Sequence, residues 1–235
     1  MKKSTVQEIK ERFNKDVERF SDLDTGQAST VDAKISLELI TEAAKRIVPN
    51  AENLLDIGCG AGNYTLMMLS KIPRLDCTLV DISQPMLDKA VERVSMATNT
   101  KVEAIQGDIR EVVLEENKFD IILAGAVLHH LRDDLDWETT FAKIFKLLKP
   151  GGCFMISDLI TQETDLLNAF SWERYGDYLE GLKGKKYRED VLAYVAKEDS
   201  PRSINYQLDL MKKVGFKNTE ILHKNMCFGV FGGIK

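Results

Sequence analysis

The sequence predicts an α/β fold: a doubly wound, mostly parallel sheet of about seven strands with an antiparallel C-terminal hairpin, preceded by helices and interrupted late by a helical lid. Three observations predict it. From Asn53 to about Ser157 strand and helix patterns alternate, which implies βα repeats joined by right-handed crossovers. The run Leu55-Asp56-Ile57-Gly58-Cys59-Gly60-Ala61-Gly62 carries an apolar strand through an acid into a glycine-rich turn, with a helix behind it. Near the C-terminus two strand patterns follow one another with no helix between them.

Ahead of the first strand, Val6, Ile9, Phe13, Val17 and Phe20 fall at helical spacing, and a second helix is expected from about Val31 to Ile47. Strand one is read as Glu52 to Ile57, strand two as Leu75 to Val80 closing on Asp81, and strand three as Val102 to Gln106 closing on Gly107-Asp108. Phe119 to Leu123 is the continuous apolar run of a strand buried on both faces. A fifth strand, Cys153 to Ile156, follows the turn Lys149-Pro150-Gly151-Gly152. Ser83 reads as an N-cap with Pro85 in the first helical turn, and Met86, Leu87, Ala90, Val91 and Val94 make one apolar stripe. The next crossover helix runs from Thr139 to Leu148 with Phe141, Ile144, Phe145 and Leu148 on one face.

Between Thr161 and Ser200 lie about forty residues, too many for a structureless loop in a compact domain. Trp172, Tyr175, Leu179 and Leu182 recur there at steps of three and four, which places an amphipathic helix. A helix from about Ile204 to Val214, stopped by Gly215, leads to strands near Lys217–Leu222 and Cys227–Phe231, paired as a hairpin at the sheet edge. The expected organisation is a helical cap (1–50), a sheet domain (51–160 and 201–235) and a lid insertion (161–200).

Composition narrows the function classes. In 235 residues, 44% hydrophobic and 29% charged, neither disorder nor a disulfide-stapled miniature fits. No apolar run approaches the ~18 residues of a membrane span, and the charged N-terminus does not read as a signal peptide. Cys59, Cys77, Cys153 and Cys227 are widely separated with no C-x-x-C, so buried free thiols in the cytoplasm are expected. A net charge of -5 gives no global attraction for nucleic acid. Lys183, Lys185, Lys186 and Arg188 form a local basic cluster, read as a solvated surface.

The candidate ligand site lies beyond the carboxyl ends of the strands, where the strand order of an open sheet reverses. Asp56 closes strand one, Asp81 strand two, Asp108 follows strand three, and Ala124-Gly125-Ala126 follow strand four. The glycine spacing is G-x-G-x-G, against G-x-G-x-x-G for a dinucleotide turn, and Asp56 beside it repels a pyrophosphate while suiting an ammonium or sulfonium. Asp81, about 20 residues beyond the turn, is placed to accept from ribose hydroxyls.

With these motifs in view, the chain resembles the class I S-adenosylmethionine-dependent methyltransferases of small-molecule type. Leu55 to Gly62, Asp81, Gly107-Asp108-Ile109, Phe119-Asp120-Ile121-Ile122 and Leu148-Lys149-Pro150-Gly151-Gly152 carry the resemblance. It implies a Rossmann-like sheet and S-adenosylmethionine as cofactor. Asp56, Gly58 and Gly60 then lie near the methionyl part, with Gly62 completing the turn, and Asp81 on the ribose. Ile82 and Met86 flank the adenine, Asp108 accepts from its amino group, Ile109 offers backbone contact, and Ala124 meets the methionyl ammonium through its carbonyl. The same resemblance implies that Phe13 and Phe20 of the cap and Trp172 and Tyr175 of the lid shape the acceptor pocket. A subsidiary core or a homodimer face is the other use for these stripes.

His129 and His130 follow strand four where the family borders the acceptor, and either is a candidate general base. The acids Asp133, Asp134 and Asp136 sit at a helix start, where the dipole favours them, so no metal is expected. The sequence therefore points to methyl transfer onto a small-molecule acceptor, with neither membrane nor nucleic acid as partner. Two alternatives stay open: an enzyme of tRNA modification resembling carboxy-S-adenosylmethionine synthase, and a non-catalytic cofactor-binding protein. An NAD-dependent dehydrogenase fits least, because the third glycine comes one residue early.

Overall fold

The computed structural model describes residues 3–22 and 27–235. At its centre is a seven-stranded sheet of order β3-β2-β1-β4-β5-β7-β6. The strands are β1 (Asn53–Ile57), β2 (Asp76–Asp81), β3 (Val102–Gln106), β4 (Phe119–Gly125), β5 (Leu148–Leu159), β6 (Asn218–Asn225) and β7 (Phe228–Ile234). The first five pair in parallel, and β7 lies antiparallel between β5 and β6. The terminal hairpin thus extends the sheet at one edge, as its uninterrupted strand patterns predict.

The described helices are α1 (Val6–Phe13), α2 (Val17–Ser21), α3 (Ala33–Ile47), α4 (Asn63–Lys71), α5 (Gln84–Ala97), α6 (Asp134–Leu147), α7 (Asp165–Lys183), α8 (Lys185–Glu198) and α9 (Ile204–Val214). Alternate residues of the central strands enter opposite cores. Leu55, Ile122 and Phe154 join Trp137 and Phe141 of α6, whereas Leu54, Ile121 and Leu123 join Ile40 of α3 and Met68 of α4. Burying both faces explains the near-continuous apolar strands.

Four expectations change. The N-terminal stripe is two helices rather than one, broken at Asn14 and Lys15, and the break brings the Phe13 and Phe20 rings to 5.6 Å. Of the expected 1–50 cap, α3 packs Leu37, Ile40 and Ala44 on the sheet core, so only the residues ahead of it cover the cleft. β5 extends past Ile156 because β7 supplies partners to Ser157 and Asp158. The lid is a pair of helices, divided at Gly184 (φ 84°), with Tyr175, Leu179, Val191 and Val195 sharing a small third core with Val31, Leu159 and Cys227.

Helix α6 also begins earlier than the apolar stripe indicates, because the Asp133 side chain accepts from Asp136 N and caps it. Ser83 caps α5 as its sequence position predicts, accepting from Met86 N.

Candidate active site

The strand order reverses between β1 and β4, and a cavity opens there at the carboxyl ends. It runs from Asp81, Ile82, Met86 and Asp108 on one side, over Gly58 and Gly60, to His129 and His130 on the other. Phe13 and Phe20 of the cap and Tyr175 and Tyr194 of the lid cover it.

The glycine turn has a specific build. Gly58 has φ 63° and a Cβ there would stand 2.5 Å from Val127 Cγ2, so this position requires the missing side chain. Gly60 (φ 51°) has nothing within 4 Å of where its Cβ would be, and its bare backbone lines the cavity. The turn offers no nest for anions. Gly58 N and Cys59 N both donate to Val80 O (2.8 and 3.1 Å), and Gly60 N donates to Asp81 Oδ2 (2.9 Å). With Asp56 and Asp81 beneath it, the turn fits a ligand that is cationic at one end and carries hydroxyls, and disfavours a pyrophosphate.

The three strand-end acids play separate parts. Asp81 accepts from Gly60 N and from Ser83 N (2.8 Å), and burial raises its pKa against those hydrogen bonds. It lines the cavity at 9% exposure. Asp56 does not line it. Its carboxylate accepts from Thr65 Oγ1 at 2.6 Å behind the turn, and burial pushes its pKa up to about 7. Asp108 lines the cavity while accepting from Arg110 Nε at 3.0 Å; burial opposes ionisation, but the guanidinium prevails and its pKa is lowered.

Other expected residues divide likewise. Gly58, Gly60, Ile82, Met86, Ile109, Phe13, Phe20 and Tyr175 border the cavity. Gly62 and Ala124 do not: Gly62 starts α4 against Ala90 and Val94, and Ala124 is fully buried within β4. Trp172 sits behind the lining, its ring 6.0 Å from that of Tyr175.

At the far end of the cavity, His129 Nδ1 is hydrogen-bonded to Asp158 Oδ1. Asp158 also accepts from the N–H groups of Leu128 (2.8 Å) and Leu159 (2.7 Å), which fixes its orientation. His129 Nε2 lies 3.7 Å from Asp199 Oδ1. Burial pulls the imidazole pKa down, but the two carboxylates override it and raise His129 to about 9. His130 goes the other way, lowered by burial and then by the neighbouring His129 charge.

Sequence reading missed Asp158 and Asp199. Asp158 had a signal, an acid at a strand end like Asp56 and Asp81, hidden by ending the fifth strand at Ile156. Asp199 follows α8, and only the lid's path brings it to the histidines. The acidic run has other work: Asp133 caps α6, Asp134 Oδ1 accepts from Arg202 Nη2, and Asp136 Oδ2 accepts from Arg110 Nη1.

The basic cluster is partnered on its own surface, Lys186 by Asp190 and Arg188 by Asp177 and Glu180. No helix among the described residues is long and apolar enough to cross a membrane.

Comparison with known proteins agrees with this geometry. A family model described as a methyltransferase domain matches residues 54–152. Carboxy-S-adenosyl-L-methionine synthase of Nautilia profundicola is 25% identical over 95% of this chain and 98% of its own length. Demethylmenaquinone methyltransferase of Listeria monocytogenes is 27% identical over 82% of this chain and 80% of its own. In fold, human N-acetylserotonin methyltransferase, solved with S-adenosylmethionine, superposes with a TM-score of 0.63 at 16% identity, covering 96% of this chain and 56% of that one. The sheet order, the glycine turn and the matched domain agree: residues 54–152 match a methyltransferase domain, and the chain is similar along most of its length to S-adenosylmethionine-dependent enzymes.

Proposed function

We propose that this methyltransferase acts on a small-molecule acceptor bound between the His129–His130 turn and the cap and lid aromatics. One observation carries the reading: a single cavity joins Asp81, Asp108 and the glycine turn to His129, Phe13, Phe20 and Tyr175. When bound, S-adenosylmethionine supplies an already electrophilic methyl group. What remains for the chain is to hold, align and dry, and proximity alone supplies ~7–11 kcal/mol in favourable cases.

Asp81 is assigned to the ribose, Ile82 and Met86 to the faces of the adenine, and the bare backbone at Gly60 to the closest approach. Asp108 is assigned to the adenine amino group through the accepting capacity that Arg110 leaves. Asp56 acts from behind, holding Thr65 of α4 and adding negative potential under the turn. His129, oriented by Asp158 through Nδ1, presents Nε2 toward the acceptor; with its pKa raised to about 9 it becomes a base only once it has lost its own proton, so turnover of an acceptor that must lose a proton rises as pH approaches 9. The sequence is compatible with the cytoplasm, and the four cysteines are buried free thiols.

The carboxy-S-adenosylmethionine synthase relative makes the carboxylated cofactor a natural second reading. An added carboxylate needs an unpaired cation. Among the described residues, Arg12, Arg19 and Arg110 of the cavity lining are ion-paired with Glu198, Asp16 and Asp108, whereas Arg132 donates to the neutral carbonyls of Ser4 and Glu198 and is the cation the second reading would use.

The test is an acceptor screen read as S-adenosylhomocysteine formation, beside titration calorimetry with S-adenosylmethionine. Turnover of a small acceptor is expected. Absence of cofactor binding overturns the reading, and a carboxylated nucleoside co-purifying with the protein shifts it to the second.

A further inference from the structure

Three side chains of metal-ligating type converge at the acceptor end of the cavity from distant points in the chain. His129 and His130 come from the turn after β4, and Asp199 from the end of α8. Asp199 Oδ1 lies 3.2 Å from His130 Nδ1 and 3.7 Å from His129 Nε2, and one ligand atom from each residue falls within 4.8 Å of the others. Asp199 is only 4% exposed, yet Oδ1 meets His130 Nδ1 without hydrogen-bond alignment, and His130 Nε2 has no hydrogen-bond partner. Buried polar atoms are ordinarily satisfied, so a cluster of ligand-type atoms this close, buried and poorly aligned for hydrogen bonding calls for a cause. A cation coordinated between them supplies it.

The surroundings fit the same cause. Metal-ligating imidazoles almost always give their far N–H to a carboxylate or carbonyl, and His129 Nδ1 is held by Asp158, itself fixed by backbone N–H groups. Donor distances of ~2.0–2.1 Å put neighbouring ligand atoms of a tetrahedral zinc site ~3.3 Å apart, close to the two shorter separations here. Two imidazoles with one carboxylate suit ions of intermediate softness rather than Mg²⁺ or Ca²⁺. The acids that a sequence search picks first, Asp133, Asp134 and Asp136, are all occupied elsewhere.

We propose that His129 Nε2, His130 Nδ1 and Asp199 Oδ1 form a mononuclear site for a divalent transition-metal ion of the Zn²⁺ or Co²⁺ kind. An ion bound there occupies the lone pair of His129 Nε2 while Nδ1–H keeps donating to Asp158, so the loaded protein cannot take an acceptor's proton through His129. That consequence rests on the base role proposed above; the site itself does not.

The experiment titrates Co²⁺ into the purified, metal-free chain, following its visible d–d absorption. Asp199→Asn and His130→Gln are run beside it, with S-adenosylmethionine binding as the check on folding. One Co²⁺ per chain is expected, weakened at least about tenfold in either variant. No saturable uptake of Co²⁺ or Zn²⁺ by the unaltered chain overturns the site, whatever the variants do. Uptake unchanged in folded variants overturns it equally. Methyl transfer unaffected by the bound ion overturns the base role of His129 and leaves the site standing.

Discussion

The sheet side of the cavity and its helical cover are held by different forces. On the sheet side each functional group is locked by backbone: Asp81 by the N–H groups of Gly60 and Ser83, the glycine turn by Val80 O, and Asp158 by Leu128 and Leu159. The cover is tied by two backbone bonds, Ser4 N to Lys197 O and Ser200 N to His129 O, and otherwise by side chains reaching across the chain. Arg12 of α1 grips Glu198 of α8 through two nitrogens (Nε 2.9 Å, Nη2 2.6 Å), and Asn63 Nδ2 donates to Phe20 O at 2.9 Å. Ser83 Oγ donates to Asn14 Oδ1 at 2.7 Å, and Phe13 sets its ring against His130. Backbone-locked groups are pre-organised for one ligand, whereas a cover of this kind can be loosened without disturbing the sheet. The His129–Asp199 pair stands on the seam, one partner from each side.

Damage to the two sides should therefore read differently. The largest effect is expected at the seam: His129→Ala should lower kcat by ~10²–10⁴ while cofactor affinity stays unchanged. Steady-state kinetics beside calorimetry measures both, and a matching loss of affinity would erase the division. Next comes Asp81→Ala, which should weaken cofactor binding by about 1–3 kcal/mol, the cost of removing a buried acceptor and stranding two N–H donors. Unchanged affinity would remove Asp81 from the ribose.

A third test sharpens the picture of Asp56 as a strained support. Its folded pKa of about 7 exceeds its unfolded value of ~3.9, so the native state retains a proton that the unfolded chain has lost. Relative to Asp56→Asn, the cofactor-free protein should lose stability as pH rises from ~4 to ~7, by up to about 1.4 kcal/mol per unit, and level off above. Denaturant unfolding across that range shows it, and parallel profiles would contradict it. The smallest effect belongs to the cover: Arg12→Ala should cost roughly 1 kcal/mol of cap docking, raising acceptor KM with little change in cofactor affinity. Faster proteolysis within α1 should accompany it, and equal losses in both constants would tie the cap to cofactor binding as well.

The legible parts of this protein are those written in local pattern. Apolar runs located the first five strands within a few residues, Ser83 and Pro85 marked a helix start, and alternating acids and glycines located the cavity's sheet side. Asp56, Gly62 and Ala124 show the limit. Sequence position placed them at strand ends or in the turn, but which way a residue faces there depends on the twist and on what packs behind. Asp56 turns to Thr65, and Gly62 to Ala90 and Val94.

The sequence by itself determined the strands and their mostly parallel direction, because burying strands on both faces leaves a run of apolar residues and crossovers carry helical stripes, whereas the strand order came from the structure. Only the tertiary structure decided the acceptor end. There Arg12 meets Glu198 and His129 meets Asp199 across intervals of 186 and 70 residues. Such pairs carry no local periodicity: each residue alone is compatible with solvent, and only the folding of cap and lid onto the sheet removes the water that would otherwise satisfy it.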